Sequence, residues 1–227
     1  MGDTMDWNQI DDYCMEANRQ VLTYEQHGIR GVRTFGHSFN VQAASPLESH
    51  IHSGCLELVL LTEGSQSYTV GEESYPMARG DVFISLPGEA HSTGGAPQSR
   101  SEIYWIQLEL NNEEEPFLNL GSSEGEELKR SLGGFSRHII HCPQQLCRIF
   151  TDSFRCAASA DAQQRSMGTS LLAAFLYGIV LQKEEEGTLP SKTSAAAAES
   201  APSIWMQHAI VRLRYSMKMK SLMEQEI

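Results

Sequence analysis

The chain has 227 residues, 41% hydrophobic and 20% charged, which is the composition of a globular protein and not of a disordered one. A formal net charge of −12 speaks against a general nucleic-acid-binding surface. No apolar run approaches the roughly 18 residues needed to cross a bilayer. The acidic opening MGDTMDWNQIDDY has no apolar stretch of the kind a secretory leader carries. Five cysteines (Cys14, Cys55, Cys142, Cys147, Cys156) form no CxxC pair, which excludes cysteine zinc fingers. The expectation is a cytoplasmic protein with reduced thiols and no membrane partner.

Charge is unevenly spread. From Ile204 onward Arg212, Arg214, Lys218 and Lys220 outweigh Glu224 and Glu226, a local balance of +2, so the first 203 residues carry 13 − 27 = −14. An acidic body with a basic tail points to two modules with different partners.

In chain order, Trp7, Ile10, Cys14 and Ala17 recur at three- and four-residue steps. That spacing predicts a short amphipathic helix within residues 1–20, capped by Thr4 or Asp6. From Val21 to Leu110 the period changes to two. The runs GVRTFGHSFNV, CLELVLLT, SQSYTV, SYPM, DVFISL and EIYWIQLEL alternate with turn chemistry at Glu63-Gly64, Gly71-Glu72 and Arg79-Gly80-Asp81. Such spacing predicts an antiparallel sandwich or barrel over 21–135, with the acidic, Gly- and Ser-rich stretch 111–135 mostly loop. Two helices are expected over 136–186. Leu146, Ile149, Phe150 and Phe154 share a face after Pro143, and Met167, Leu171, Leu172, Phe175, Ile179 and Leu181 form a broad stripe after the capping Asp161. Residues 187–203 (GTLPSKTSAAAAESAPS) are a linker by composition. Met206, Ile210, Leu213 and Met217 then resume helical spacing over 204–227, which reads as the opening of a module that the chain does not complete.

One constellation carries chemistry. His50 and His52 lie two apart, so on a strand both side chains leave the same face. Glu57 follows a bend at Ser53-Gly54 and points inward with Val59 and Leu61. His91 comes just beyond the turn-like Leu86-Pro87-Gly88-Glu89-Ala90. Three imidazoles and a carboxylate converging inside a small barrel suit a divalent metal (Zn, Ni, Mn or Fe) with one or two positions left open. The same groups could instead be hydrogen-bond partners in an anion or polyol pocket. Arg33, Tyr68, Tyr104 and Trp105 sit on predicted strands and are candidates for lining a ligand pocket at the barrel mouth, with core packing as the competing role of the rings. A one-residue slip in strand parity would turn each inner side chain outward. His37, His138 and His141 read as solvated or capping residues, His27 as a turn residue without an evident partner, and Cys55 as an inert buried thiol.

HIHSGCLELVLLTEG matches the first cupin motif: HxH, four residues, Glu, six residues, Gly. GDVFISLPGEAH resembles the second and keeps the spacing of Gly80, Gly88 and His91, but Leu86 stands where cupins usually have Pro, and Gly95 replaces the usual Asn. More finely, ELVLLTEG, YTVGEESYPMARGDVFISLPGEAHS and IYWIQLEL resemble the sensing half of AraC-family bacterial transcription regulators. IWMQHAIVRLRYSMKMKSLMEQEI looks like that family's linker and the start of its helix-turn-helix region, most of which is absent. The resemblance implies a mainly β fold with α: a cupin-type antiparallel β-barrel (jelly roll) followed by a helical segment that forms a homodimer. It also implies a small-molecule effector, a sugar or related metabolite, inside the barrel, and DNA contact only through the missing C-terminal region. The alternative expectation is a stand-alone metal-dependent cupin enzyme, an oxygenase, isomerase or lyase, in which His50, His52, Glu57 and His91 hold the metal.

Overall fold

The structure, a computed structural model, describes residues 5–6, 18–95, 97–111 and 116–187, with the side chains of 18–95, 97–111 and 116–182. In chain order its elements are β1 (Met5–Asp6), β2 (Arg19–Thr23), α1 (Tyr24–His27), β3 (Val32–Asn40), β4 (His50–Ile51), β5 (Cys55–Gly64), β6 (Gln66–Val70), β7 (Glu73–Met77), β8 (Asp81–Ser85), β9 (His91–Ser92) and β10 (Ser101–Glu109). A 3-10 turn at Phe117–Asn119 leads to α2 (Ser122–Gly133), β11 (Ile139–His141), α3 (Gln144–Ala157) and α4 (Ala162–Gly187).

The strands form two sheets, ordered β1-β4-β9-β6-β7 and β11-β8-β5-β10-β3-β2. Every pairing among the described residues is antiparallel except β1 with β4. This is the mainly β, jelly-roll-like architecture of the cupins, with helices appended. Period-two patterning explains why the strands form, and the register fixes which face each residue takes. Trp105 stands opposite Val59 of β5 and Gly36 of β3, and Gln107 opposite Glu57. Glu57, Val59, Leu61, Phe83, Ser85, Trp105 and Gln107 therefore share the face turned toward the first sheet. Leu56, Leu58, Leu60, Val82, Ile84, Tyr104 and Ile106 share the other face, where they join Phe150, Phe154, Leu172, Phe175 and Ile179 in a core beneath the helices. The interior between the sheets holds a smaller apolar cluster of Val21, Val59, Leu61, Tyr68, Met77, Phe83 and Trp105.

α3 buries Leu146, Phe150 and Phe154, the face expected from their spacing, and packs along α4. The expected cap of α4 is present: Gln164 N–H donates to Asp161 Oδ1 at 2.8 Å. Phe150 stacks between Phe35 of β3 (5.2 Å) and Phe175 of α4 (4.3 Å), tying sheet and helices together. At the end of β5, Gly64 has a positive φ of 82°, and a Cβ there would lie 2.1 Å from the Arg100 carbonyl oxygen, so only glycine fits the motif position.

Two expectations are corrected. Met5–Asp6 and Arg19–Gln20 belong to strands, so a helix does not extend over these ends of 1–20; the rest of that segment lies outside the described residues. Arg19–Thr23 pairs with β3 because Val21 and Leu22 have buried surfaces to fill on opposite sides of the sheet. The stretch 111–135 is not mostly loop: α2 buries Gly125, Leu128, Lys129 and Leu132, a three- and four-residue pattern hidden among exposed acidic residues. The expected linker beyond Gly187 and the expected helical tail 204–227 lie outside the described residues.

Candidate functional site

Three strand pairings and one turn assemble the cluster. β4 and β9 place His50 opposite His91, while β5 places Glu57 opposite Ser85 on one side and Gln107 on the other. Between β8 and β9, Glu89 N–H donates to the Leu86 carbonyl at 3.0 Å, and Gly88 takes a positive φ of 76°. Pro87 followed by a left-handed glycine is the chemistry of a type II turn, so proline one position later than usual serves this loop. Gly88 N–H also donates to the His52 carbonyl at 3.1 Å, which clamps the second motif onto the first.

His50, His52, Glu57 and His91 are all buried, and one ligand atom from each lies within 4.8 Å of the others. His91 Nε2 is 3.0 Å from Glu57 Oε2, and His52 Nε2 is 3.2 Å from Glu57 Oε1. The Gln107 amide donates to Glu57 Oε1 at 3.3 Å and lies 3.2 Å from His52 Nδ1. His50 Nδ1–H donates to the Glu48 carbonyl at 2.8 Å, which leaves Nε2 as the ring's ligand atom. His91 Nδ1 lies 3.0 Å from Ser85 Oγ and 3.3 Å from the Glu89 carbonyl oxygen, which fixes its ring plane.

Burial alone would raise the Glu57 pKa, but hydrogen bonds and charge from His52 and His91 hold it well below the usual carboxylate range. Burial, helped by the neighbouring His91, brings His50 down to about 4, so its imidazole is neutral near pH 7. A neutral His50 imidazole and an ionised Glu57 are protonation states that a divalent ion requires of its ligands. Metal bonds of about 2.0–2.2 Å put neighbouring ligand atoms about 3 Å apart, close to the two Glu57–histidine separations of 3.0 and 3.2 Å. The residues fit a divalent metal. They also form a closed network without one, each short gap then holding a proton, so the hydrogen-bonding alternative has the same geometry.

The four candidates for ligand contact divide. Tyr68 and Trp105 face the barrel interior: Tyr68 stacks on Phe83 at 4.4 Å, and the Arg19 guanidinium covers Trp105 at 5.1 Å. Burial pushes the Tyr68 hydroxyl far above its ordinary value, so it stays protonated. Tyr104 is a correction. It points away from the barrel interior, stacks on His37 at 4.3 Å and packs edge-on against Phe154 of α3, because β10 turns its even residues toward the helices. Arg33 bonds Glu109 at 3.1 Å and the Ser53 carbonyl at 3.3 Å, which makes it a strut for the loop after His52.

Sequence reading missed Gln107, Phe83 and Ser85. All three share strand parity with Glu57 and Trp105, the one signal that could have found them. His37 is not simply solvated, since its Nε2 lies 2.9 Å from Glu102. His27 is buried, and its Nδ1 accepts the Ile29 N–H at 2.9 Å.

No curated protein matches the chain. Similar solved structures include a predicted oxalate decarboxylase from Thermotoga maritima (20% identity over 40% of this chain and 79% of that one, TM-score 0.34). They also include a cupin superfamily protein from Desulfitobacterium hafniense (14%, 42% and 81%, TM-score 0.33). A third is a bacterial pirin from Escherichia coli in complex with nickel(II) (14%, 44% and 48%, TM-score 0.36). A family model for the AraC-like ligand binding domain matches residues 42–178, more than half of the chain and the span that contains the whole buried cluster. The chain belongs to the family of AraC-like ligand-binding domains.

Proposed function

We propose that this chain is the effector-sensing and dimerisation part of an AraC-type bacterial transcription regulator acting in the cytoplasm. The observation that carries the reading is a buried polar cluster, His50, His52, Glu57, His91 and Gln107, set beside Tyr68 and Trp105 inside a barrel of the ligand-binding family. Hydrogen-bonding groups next to aromatic walls are what a sugar or related metabolite needs from a pocket. The ligand would bias two arrangements of the helices by its different affinity for each, and so change how a DNA-binding region is presented. α4 supports a homodimer. One of its faces packs on the protein's own core, while Met167, Leu171, Ala174 and Leu181, spaced as in a seam, keep exposed surface. A screen of sugars and related metabolites by thermal melting tests the reading. A stabilising ligand whose effect disappears in Trp105→Ala is expected. If none stabilises while the protein turns over a redox substrate, the reading fails.

The donor set favours a second reading, a metal-dependent cupin enzyme. His50, His52, Glu57 and His91 would then hold the ion, which supplies Lewis acidity or an oxygen-binding centre. Purified protein without stoichiometric Zn, Ni, Mn or Fe removes this alternative.

A further inference from the structure

A second concavity lies on the opposite side of the large sheet from the His/Glu cluster. It is a groove of about 450 Å³ between α3 and the ends of β5, β8 and β10, a volume in the range of small-molecule sites. The ring of Tyr104 contributes apolar wall, and three guanidinium groups border it: Arg79 at the turn before β8, and Arg148 and Arg155 on α3.

The charges of the groove are unequally matched. Glu102 accepts from Thr62 Oγ1 at 2.7 Å, lies 2.9 Å from His37 Nε2, and receives the Tyr104 hydroxyl at 3.4 Å, so its carboxylate is occupied. Arg155 is held by Asp152 at 2.8 Å. The guanidinium groups of Arg79 and Arg148 have no ion-pair or hydrogen-bond partner among the described residues, although the Arg148 carbonyl accepts from Thr151 Oγ1 at 3.1 Å. Arg79 reaches the groove from the turn before β8, and Arg148 reaches it from α3, where it follows Cys147, itself part of the lining. Two unmatched guanidinium groups, and the oxygens of Glu63 and Thr151 on the same lining, present donors for a carboxylate and acceptors for hydroxyl groups.

We propose that this groove is a second binding site, distinct from the barrel interior, for a small hydroxy-carboxylate. Arg79 and Arg148 take the carboxylate, and Glu63 and Thr151 take hydroxyl groups. Because the site joins α3 to the barrel strands, an occupant fixes the helix against the sheet.

The test uses D-gluconate as the probe and neutral D-glucose as its control, on the full chain. Gluconate is expected to bind by calorimetry and glucose not to. Arg79→Ala with Arg148→Ala, both exposed and so replaceable without disturbing the core, is expected to weaken binding at least about tenfold, as the loss of charge-assisted hydrogen bonds requires. Location is read separately from maleimide labelling mapped by mass spectrometry. Gluconate should slow modification of Cys147, which lines the groove, and leave Cys156 unchanged. Absence of binding up to about 10 mM, equal binding to the double variant, or binding that leaves Cys147 labelling untouched would each overturn the proposal.

Discussion

His91 Nε2 and Glu57 Oε2 meet 3.0 Å apart although the two residues stand 34 positions apart in the sequence. The contact joins β9 of one sheet to β5 of the other, so the candidate metal centre is also a cross-link between the two walls of the barrel. Two facing acceptor atoms would repel, so the gap is stable only with a proton or a cation in it. Removing either side leaves a buried polar group without its partner.

Zinc binding should therefore act on stability. With free Zn²⁺ at about a hundred times its Kd, the native state should gain about 2.7 kcal/mol. The melting temperature should rise on titration and fall back with a chelator. Glu57→Gln keeps the shape but removes the anionic ligand, and should lose most of that rise. A melting curve indifferent to Zn²⁺, Ni²⁺, Mn²⁺ and Fe²⁺ would leave the cluster as a hydrogen-bonded network.

Gly36 stands opposite Trp105, and a Cβ at that position would lie 2.2 Å from the indole ring. The ring is enclosed by the barrel and covered by Arg19, so it cannot yield freely. Gly36→Ala should destabilise the chain by about 1–3 kcal/mol through overpacking. Adding Trp105→Val should restore part of that loss in urea unfolding, and strictly additive effects would contradict the steric account.

How much the sequence disclosed depends on whether a strand has one buried face or two. The HxH spacing and the inward set of Glu57, Val59 and Leu61 were legible because period-two alternation and motif spacing agreed. EIYWIQLEL was harder. β10 packs one face inside the barrel and the other beneath α3 and α4, so apolar residues occupy both parities and the pattern does not say which way Tyr104 points. Trp105 and Tyr104 consequently separate to opposite sides of the sheet. α2 was obscured for another reason: only Gly125, Leu128, Lys129 and Leu132 are buried, and Glu124, Glu126 and Glu127 dominate the composition. Gln107 had no motif to mark it, and its amide gains meaning only once the register sets it against Glu57.

Phe150 should be the costliest apolar truncation among the helices. Its ring is fully buried between Phe35 and Phe175, so Phe150→Ala opens a cavity where sheet, α3 and α4 meet. The expected loss is about 3–5 kcal/mol in denaturant unfolding. Phe150→Leu should recover much of it, and a loss below about 1 kcal/mol would mean that the helices are not packed on the sheet in this way.

The proposed homodimer makes a separate demand on α4. Met167 is 48% exposed, and Leu171, Ala174 and Leu181 continue its line at steps of four, three and seven. Leu171→Arg places a charge on that line without touching the buried Leu172, Phe175 and Ile179. Sedimentation should show the variant as a folded monomer where the parent chain is a dimer. A variant that stays dimeric would remove this seam.

His27 sets the last expectation, a pH dependence independent of the His/Glu cluster. It is buried at the end of α1, and desolvation lowers its pKa from 6.5 to about 4, outweighing the Arg33 backbone carbonyl and the charge of Glu25, which both favour the protonated ring. Tyr24 meets the ring edge-on at 6.0 Å and brings no charge near neutral pH. The depressed value gives the sign: above pH 6.5 both folded and unfolded chains hold this histidine neutral, and it contributes nothing to the slope. As pH falls from 6.5 toward 4 the unfolded chain takes up the proton first, so stability is lost, by about 3 kcal/mol at about 1.4 kcal/mol per unit. Below the folded value both states are charged and the loss levels off. His27→Gln keeps an acceptor for the Ile29 N–H but cannot titrate. Urea unfolding of both proteins from neutral to acid pH isolates the residue, since every other group cancels in the difference. The parent chain should lose the extra stability inside that window, and parallel curves would mean that His27 is protonated in the folded chain without penalty.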